Sequence, residues 1–318
     1  MPETSQGALS PIIEVTNLTK NYGPYRAVDS VSFSVKKGEV VGFLGPNGAG
    51  KTTTMKIITG FMAASSGTAK IAGFDVFEDP IEVKKRIGYL PETPPLYGDM
   101  SVESYLKFVA QLKGVPKENL KRLVDRSIEK TDLGSVRRRL IQNLSKGYRQ
   151  RVGISQALVS DPEVLILDEP TVGLDPRQVA EVRSLIKELA GHHTIVLSTH
   201  ILPEVQASCQ RIIIINKGKI VAEDSIDRLS SRISGAGRVR LRVLKPGPSL
   251  EKMFRETSGV TGVRTDINEY EIDTDGSKET AARLAEKAVG HGLFEMKQET
   301  FNLEDVFLKL TTSEETQS

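Results

Sequence analysis

The chain has one cysteine among its 318 residues, Cys209, so no intrachain disulfide can form. It has no apolar run approaching the roughly 18 residues of a membrane span; residues 212–215 are only long enough for a strand core. It also lacks an excess of either charge. The 43 basic and 41 acidic side chains leave a net charge of +2, which does not call for nucleic acid as a partner. The basic run Arg137-Arg138-Arg139 reads as a solvated helix face. The start, MPETSQGALSP, has neither the basic nor the apolar region of a signal peptide. These absences predict a cytosolic protein whose membrane role, if it has one, needs other chains.

What is present centres on residues 45–52, Gly-Pro-Asn-Gly-Ala-Gly-Lys-Thr, which fit the phosphate-loop pattern G-x-x-x-x-G-K-[ST] at every specified position. An apolar run, 39–44, reads as a strand before it, and a helix-like stretch follows from Thr53. Glycines let the backbone turn tightly around phosphates, and the exposed N–H groups at a helix N-terminus offer them partial positive charge. Lys51 is placed to reach the β and γ oxygens, and the Thr52 hydroxyl to ligate Mg²⁺. The pattern predicts binding of a nucleoside triphosphate.

Further along, residues 164–167 form an all-apolar run that ends in Asp168-Glu169. Such a run suits a parallel strand buried on both faces, and its C-terminal end is where doubly wound sheets bind ligands. Asp168 is placed to hold Mg²⁺, directly or through water, and Glu169 to polarise an attacking water. Three other residues are ambiguous alone. Tyr22, read in a turn before a strand at 27–35, is either a packed tyrosine or a ring that stacks on a base. Ser145, at the start of a helix through Leu158, is either a plain N-cap or, with Gly147, an anion grip. His200, after a strand at 194–197, is either structural or a contact to a γ-phosphate. Residues 101–143 read as helical, Pro91 to Pro95 as a rigid loop carrying Glu92, and Asn216-Lys217-Gly218 as a hairpin turn.

Taken in order, these motifs resemble the nucleotide-binding subunit of an ABC transporter over about residues 12–230. The resemblance implies an α/β fold: a P-loop NTPase cassette with a RecA-like core, an antiparallel β subdomain and a helical signature subdomain at about 92–160. It implies ATP and Mg²⁺ as ligands, with Tyr22 stacking on adenine and Gly45, Asn47, Gly48, Ala49, Gly50, Lys51, Thr52 and Thr53 around the phosphates. Thr52, Asp168 and Glu92 would face the metal, and Glu169, His200 and Lys51 would do the catalytic work. Ser145, Gly147 and Asp175 would act across a head-to-tail dimer in which ATP is held between two copies. Two positions depart from the family. Glu92 stands where glutamine is usual, and the signature reads Leu-Ser-Lys-Gly-Tyr rather than Leu-Ser-Gly-Gly-Gln. The partners implied are a polytopic permease on the membrane and a second copy, with the chain peripheral on the cytoplasmic face. A non-transport ATPase acting on DNA or ribosomes, and a nucleotide-gated module with little turnover, are the alternatives.

Residues 1–11 read as a flexible terminus and 231–237 as a linker. Residues 231–318 then follow a β-α-β-β-α-β order, which suggests a small α+β, ferredoxin-like accessory domain. A closing helical face, Leu303, Val306, Phe307 and Leu310, resembles the tail of ATPase subunits of ABC-2-type exporters, among them gliding-motility, sodium-efflux and drug-efflux members.

Overall fold

The computed structural model describes residues 11–226, 228, 237–300 and 307. The chain divides into two compact units, Met1–Glu223 and Asp224–Ser318.

In the first unit, β1 (Pro11–Tyr22) and β2 (Tyr25–Lys36) pair antiparallel through their alternating buried residues. β4 (Ser66–Ile71) and β5 (Phe74–Asp75) complete a four-stranded sheet ordered β2-β1-β4-β5. The second sheet carries the site. β3 (Val40–Leu44) is buried along its whole length, as are β7 (Val164–Asp168) and β8 (Thr194–Thr199), the pattern of a parallel sheet covered on both faces. With β6 (Ile87–Leu90), β9 (Arg211–Asn216) and β10 (Lys219–Ser225) the order is β10-β9-β3-β8-β7-β6. The pairs β9-β3, β3-β8, β8-β7 and β7-β6 are parallel. Helices α1 (Lys51–Ile58), α2 (Pro80–Arg86), α6 (Pro176–Leu189) and α7 (Leu202–Ser208) belong to this unit. A separate apolar cluster, including Leu106, Val124, Ile128 and Val152, joins α3 (Val102–Leu112), α4 (Lys117–Lys130) and α5 (Lys146–Leu158).

Three local readings need correction. Residues 101–143 are not continuous helix. Gly114, at φ 76°, and Pro116 separate α3 from α4, and short 3₁₀ turns at Gly134–Val136 and Ile141–Asn143 lead into α5. Tyr22 ends β1 rather than sitting in the turn, because β1 continues past a series of bulges to pair Tyr22 with Tyr25. Pro11, expected in the loose terminus, opens β1 opposite Lys36.

In the second unit, β11 (Gly237–Val243), α8 (Pro248–Arg255), β12 (Val260–Asp266), β13 (Glu269–Thr274), α9 (Lys278–Val289) and β14 (Leu293–Thr300) follow the expected order. The sheet is antiparallel and ordered β12-β13-β11-β14, the ferredoxin-like arrangement. Its core includes Val239, Leu241, Leu250, Phe254, Tyr270 and Leu284. Gly237, expected in the linker, belongs to β11; the helical face at 303–310 lies outside the described residues apart from Phe307.

Candidate active site

The phosphate loop runs from the end of β3 to α1, and its own backbone shapes it. Gly50 caps α1 with φ 104°, a conformation L side chains rarely adopt, and a Cβ there would lie 2.5 Å from Ala27 O. Gly48, at φ 80°, faces open space. Gly45 N–H donates to Thr199 O at 3.4 Å, and Gly218 N–H donates to Ala49 O at 2.9 Å, so β8 and the β9–β10 turn hold the loop from both sides.

A cavity of about 500 Å³ opens over the loop, a volume suited to a nucleotide-sized ligand. It is lined by Asn47, Gly48, Gly50, Lys51, Thr52 and Thr53, together with Tyr22, Tyr25, Glu92, Glu169 and His200. The buried Lys51 ammonium donates to Gly45 O at 2.8 Å and Pro46 O at 3.2 Å, and lies 3.5 Å from Glu169 Oε1. His200 Nδ1 is 3.0 Å from both Glu169 oxygens, so it carries the proton that it donates to that carboxylate when the glutamate is ionised. Glu169 is buried, and its backbone is left-handed at φ 51°. Glu169 is thus brought into contact with both Lys51 and His200, the latter 31 residues away in the chain.

Asp168, at the end of β7, is fully buried. Burial pushes its carboxyl pKa up; hydroxyls of Ser198 and Thr52 oppose the shift, and the charges of Glu169 and Glu92 add to it. Ser198 Oγ donates to Oδ1 at 2.7 Å, while Oδ2 has no hydrogen-bond partner among the described residues. An adjoining cavity of about 530 Å³ is lined by Asp168, Thr52 and Glu92, together with Tyr89 and Gln156. The free Asp168 oxygen beside a threonine hydroxyl fits Mg²⁺. Among the described residues no group of three or more His, Cys, Asp and Glu side chains gathers to hold a metal alone.

Ser145, Gly147 and Asp175 line neither cavity. Ser145 Oγ caps α5, accepting from Tyr148 N–H at 3.4 Å, and Asp175 Oδ1 caps α6, accepting from Gln178 N–H at 3.0 Å. Gly147 packs on Gln178, where a Cβ would meet the side chain at 2.5 Å. The sequence reading missed Tyr25 and Tyr89. The Tyr89 hydroxyl is buried without a hydrogen-bond partner among the described residues, its pKa raised by burial and by Asp168. Only proximity in the fold marks either one.

A family model described as ABC transporter matches residues 28–172. The chain is 35% identical to the bacitracin transport ATP-binding protein BcrA of Bacillus licheniformis, over 95% of this chain and 98% of that protein. It is 32% identical to the linearmycin resistance ATP-binding protein LnrL of Bacillus subtilis, over 94% of this chain and 98% of that protein. Among solved structures, the dimeric structure of MJ0796, a bacterial ABC transporter cassette, superposes with a TM-score of 0.61 at 25% identity, covering 67% of this chain and 98% of that one.

Proposed function

This chain belongs to the ABC transporter family, and we propose that within it the chain is the ATP-binding and ATP-hydrolysing subunit that powers export through a separate polytopic permease. The observation that carries the reading is the contact of Lys51 and His200 with the carboxylate of Glu169 at the mouth of the phosphate loop. Loop N–H groups and the start of α1 bind the phosphates. Lys51 offsets charge on the β and γ oxygens, and His200 faces the γ-phosphate while orienting Glu169. Glu169 takes the proton of the attacking water as general base. Preorganised charge of this kind commonly contributes more to catalysis than any other single effect. Thr52 and Asp168 would hold Mg²⁺, with Glu92 facing it. The ion, when bound, neutralises charge that develops on the phosphate oxygens.

Ser145, Gly147 and Asp175, set apart from the cavity, are assigned to the site of a second copy docked head to tail. Residues 12–230 are assigned to the cassette and 231–318 to an accessory domain that carries none of the proposed catalytic residues. Export is supported by the names of the relatives, one of bacitracin transport and one of linearmycin resistance. The chain is assigned a peripheral place on the cytoplasmic face, beside the permease that it powers; no helix among the described residues is long and apolar enough to cross a membrane.

The test has two arms. A tagged copy purified from solubilised membranes should bring down a polytopic permease; recovery of soluble chains alone would move the protein to a non-transport role. Glu169→Gln should lower kcat for ATP by about 100-fold or more while leaving ATP affinity intact.

A further inference from the structure

Glu204, in the first turn of α7, is a buried carboxylate, 1% exposed. Among the described residues no basic side chain pairs with it; hydroxyls satisfy it instead. Thr171 Oγ1 donates to one carboxylate oxygen, and Thr199 Oγ1 donates to the other at 2.9 Å. Thr199 Oγ1 in turn accepts from Ile201 N–H at 3.1 Å. A buried polar group is costly unless it is hydrogen-bonded in this way, and its place in the chain suggests what it serves. Thr171 follows Glu169 by two residues, and Thr199 directly precedes His200. Glu204 therefore ties the segment that carries one proposed catalytic group to the segment that carries the other.

Glu169 needs such ties. A left-handed backbone at a residue with a Cβ is strained and persists only where the surroundings enforce it. Glu169 N–H donates to Ser198 O at 2.8 Å, and Gln150 Nε2 donates to Pro170 O at 2.7 Å. The Thr171–Glu204 bond anchors the chain just beyond. We propose that Glu204 is a positioning residue. Through Thr171 and Thr199 it holds Glu169 in its left-handed conformation and opposite His200, so that the carboxylate is aimed at the attacking water. The inference rests on the reading of Glu169 as the base.

The test compares Thr171→Val, which keeps the shape and removes the hydroxyl, with Thr171→Ser, which keeps the hydroxyl and removes a methyl. Glu204→Gln serves as the conservative variant of the acceptor, and Glu169→Gln as the reference. Steady-state kcat and the calorimetric Kd for ATP are measured for each, on the full chain. An orphaned buried hydrogen-bonding group should cost Thr171→Val about tenfold in kcat, with Kd for ATP unchanged within about twofold. Thr171→Ser and Glu204→Gln should keep most of the wild-type kcat. Wild-type turnover in Thr171→Val would overturn the proposal. So would equal losses in the valine and serine variants, or a Kd that weakens in step with kcat, because each is the mark of packing rather than aim. If Glu169→Gln leaves kcat unchanged, the assignment of the base fails and this inference fails with it. If only Glu169→Gln is slow, the base stands and the inference alone is overturned.

Discussion

Tyr25 stands opposite Tyr22 in the β1–β2 register, and both rings are uncovered, at 59% and 45% exposure. Tyr22 is steadied by its hydroxyl, 3.0 Å from Met62 Sδ, and by Lys20 over its ring. Among the described residues Tyr25 has neither support, and it lines the same cavity. Stacking of a base on an aromatic ring contributes about 1–3 kcal/mol. Tyr25→Ala should therefore weaken ATP binding by about tenfold, and Tyr25→Phe should not. Calorimetry with ATP and with tripolyphosphate separates the causes: the variant should lose affinity for ATP alone. Equal losses for both ligands would point to a distorted hairpin instead. Tyr22 was legible in the sequence because it matches a family motif in order. Tyr25 matches none, and only strand pairing brings it to the cavity.

Among the elements, α3 and α4 are held to the chain that follows them by one arginine. Arg137 donates to both oxygens of Glu103 on α3, at 2.8 and 2.9 Å, and pairs with Asp125 on α4 at 2.6 Å. The Glu103 carboxyl, hydrogen-bonded first by Arg137 and then by Lys107, is held down to about 2. A folded-state pKa below the unfolded one means that the contribution is fully present above the ordinary glutamate range and is lost as pH falls towards 2. These groups are partly exposed, so the pair is worth about 1 kcal/mol at most. Arg137→Ala should lower stability to urea by about that amount at pH 7, and the gap from wild type should close as pH falls towards 2. A gap that stayed constant with pH would place the loss in packing rather than in charge. The sequence showed Arg137 only as part of a basic run on a solvated helix face. Its partners lie 34 and 12 residues away, beyond the reach of any local pattern.

On the scale of the whole molecule, one copy keeps the cavity-lining residues apart from those assigned to the site of a second copy. The phosphate loop, Glu169 and His200 share a cavity, whereas Ser145 and Asp175 each cap a helix outside it. The proposed roles of Ser145 and Asp175 in the site of a second copy predict assembly. Glu169→Gln with ATP should run at twice the monomer mass in light scattering, and wild type without nucleotide at the monomer mass. Adding Ser145→Arg to the slow variant should prevent doubling while ATP still binds each single copy. Doubling that survives this substitution would remove Ser145 from the interface.

The sequence by itself determined the phosphate loop, the acidic pair after β7 and the element order of the second unit. Each is written in contiguous residues: glycines that permit φ values such as 104° at Gly50, apolar runs of strand length, and alternation of period two. The tertiary structure decided the rest. Glu169 is left-handed, Glu204 is bonded to Thr171 and Thr199, Asp168 keeps one oxygen without a partner among the described residues, and Tyr25 reaches the cavity. The parallel pairing of β3, β7 and β8 brings together residues 31 and 33 positions apart. Burial, strain and hydrogen-bond partnership are properties of such encounters. Local residue patterns encode which elements form, and packing between distant segments sets the conformation and surroundings of the groups they carry.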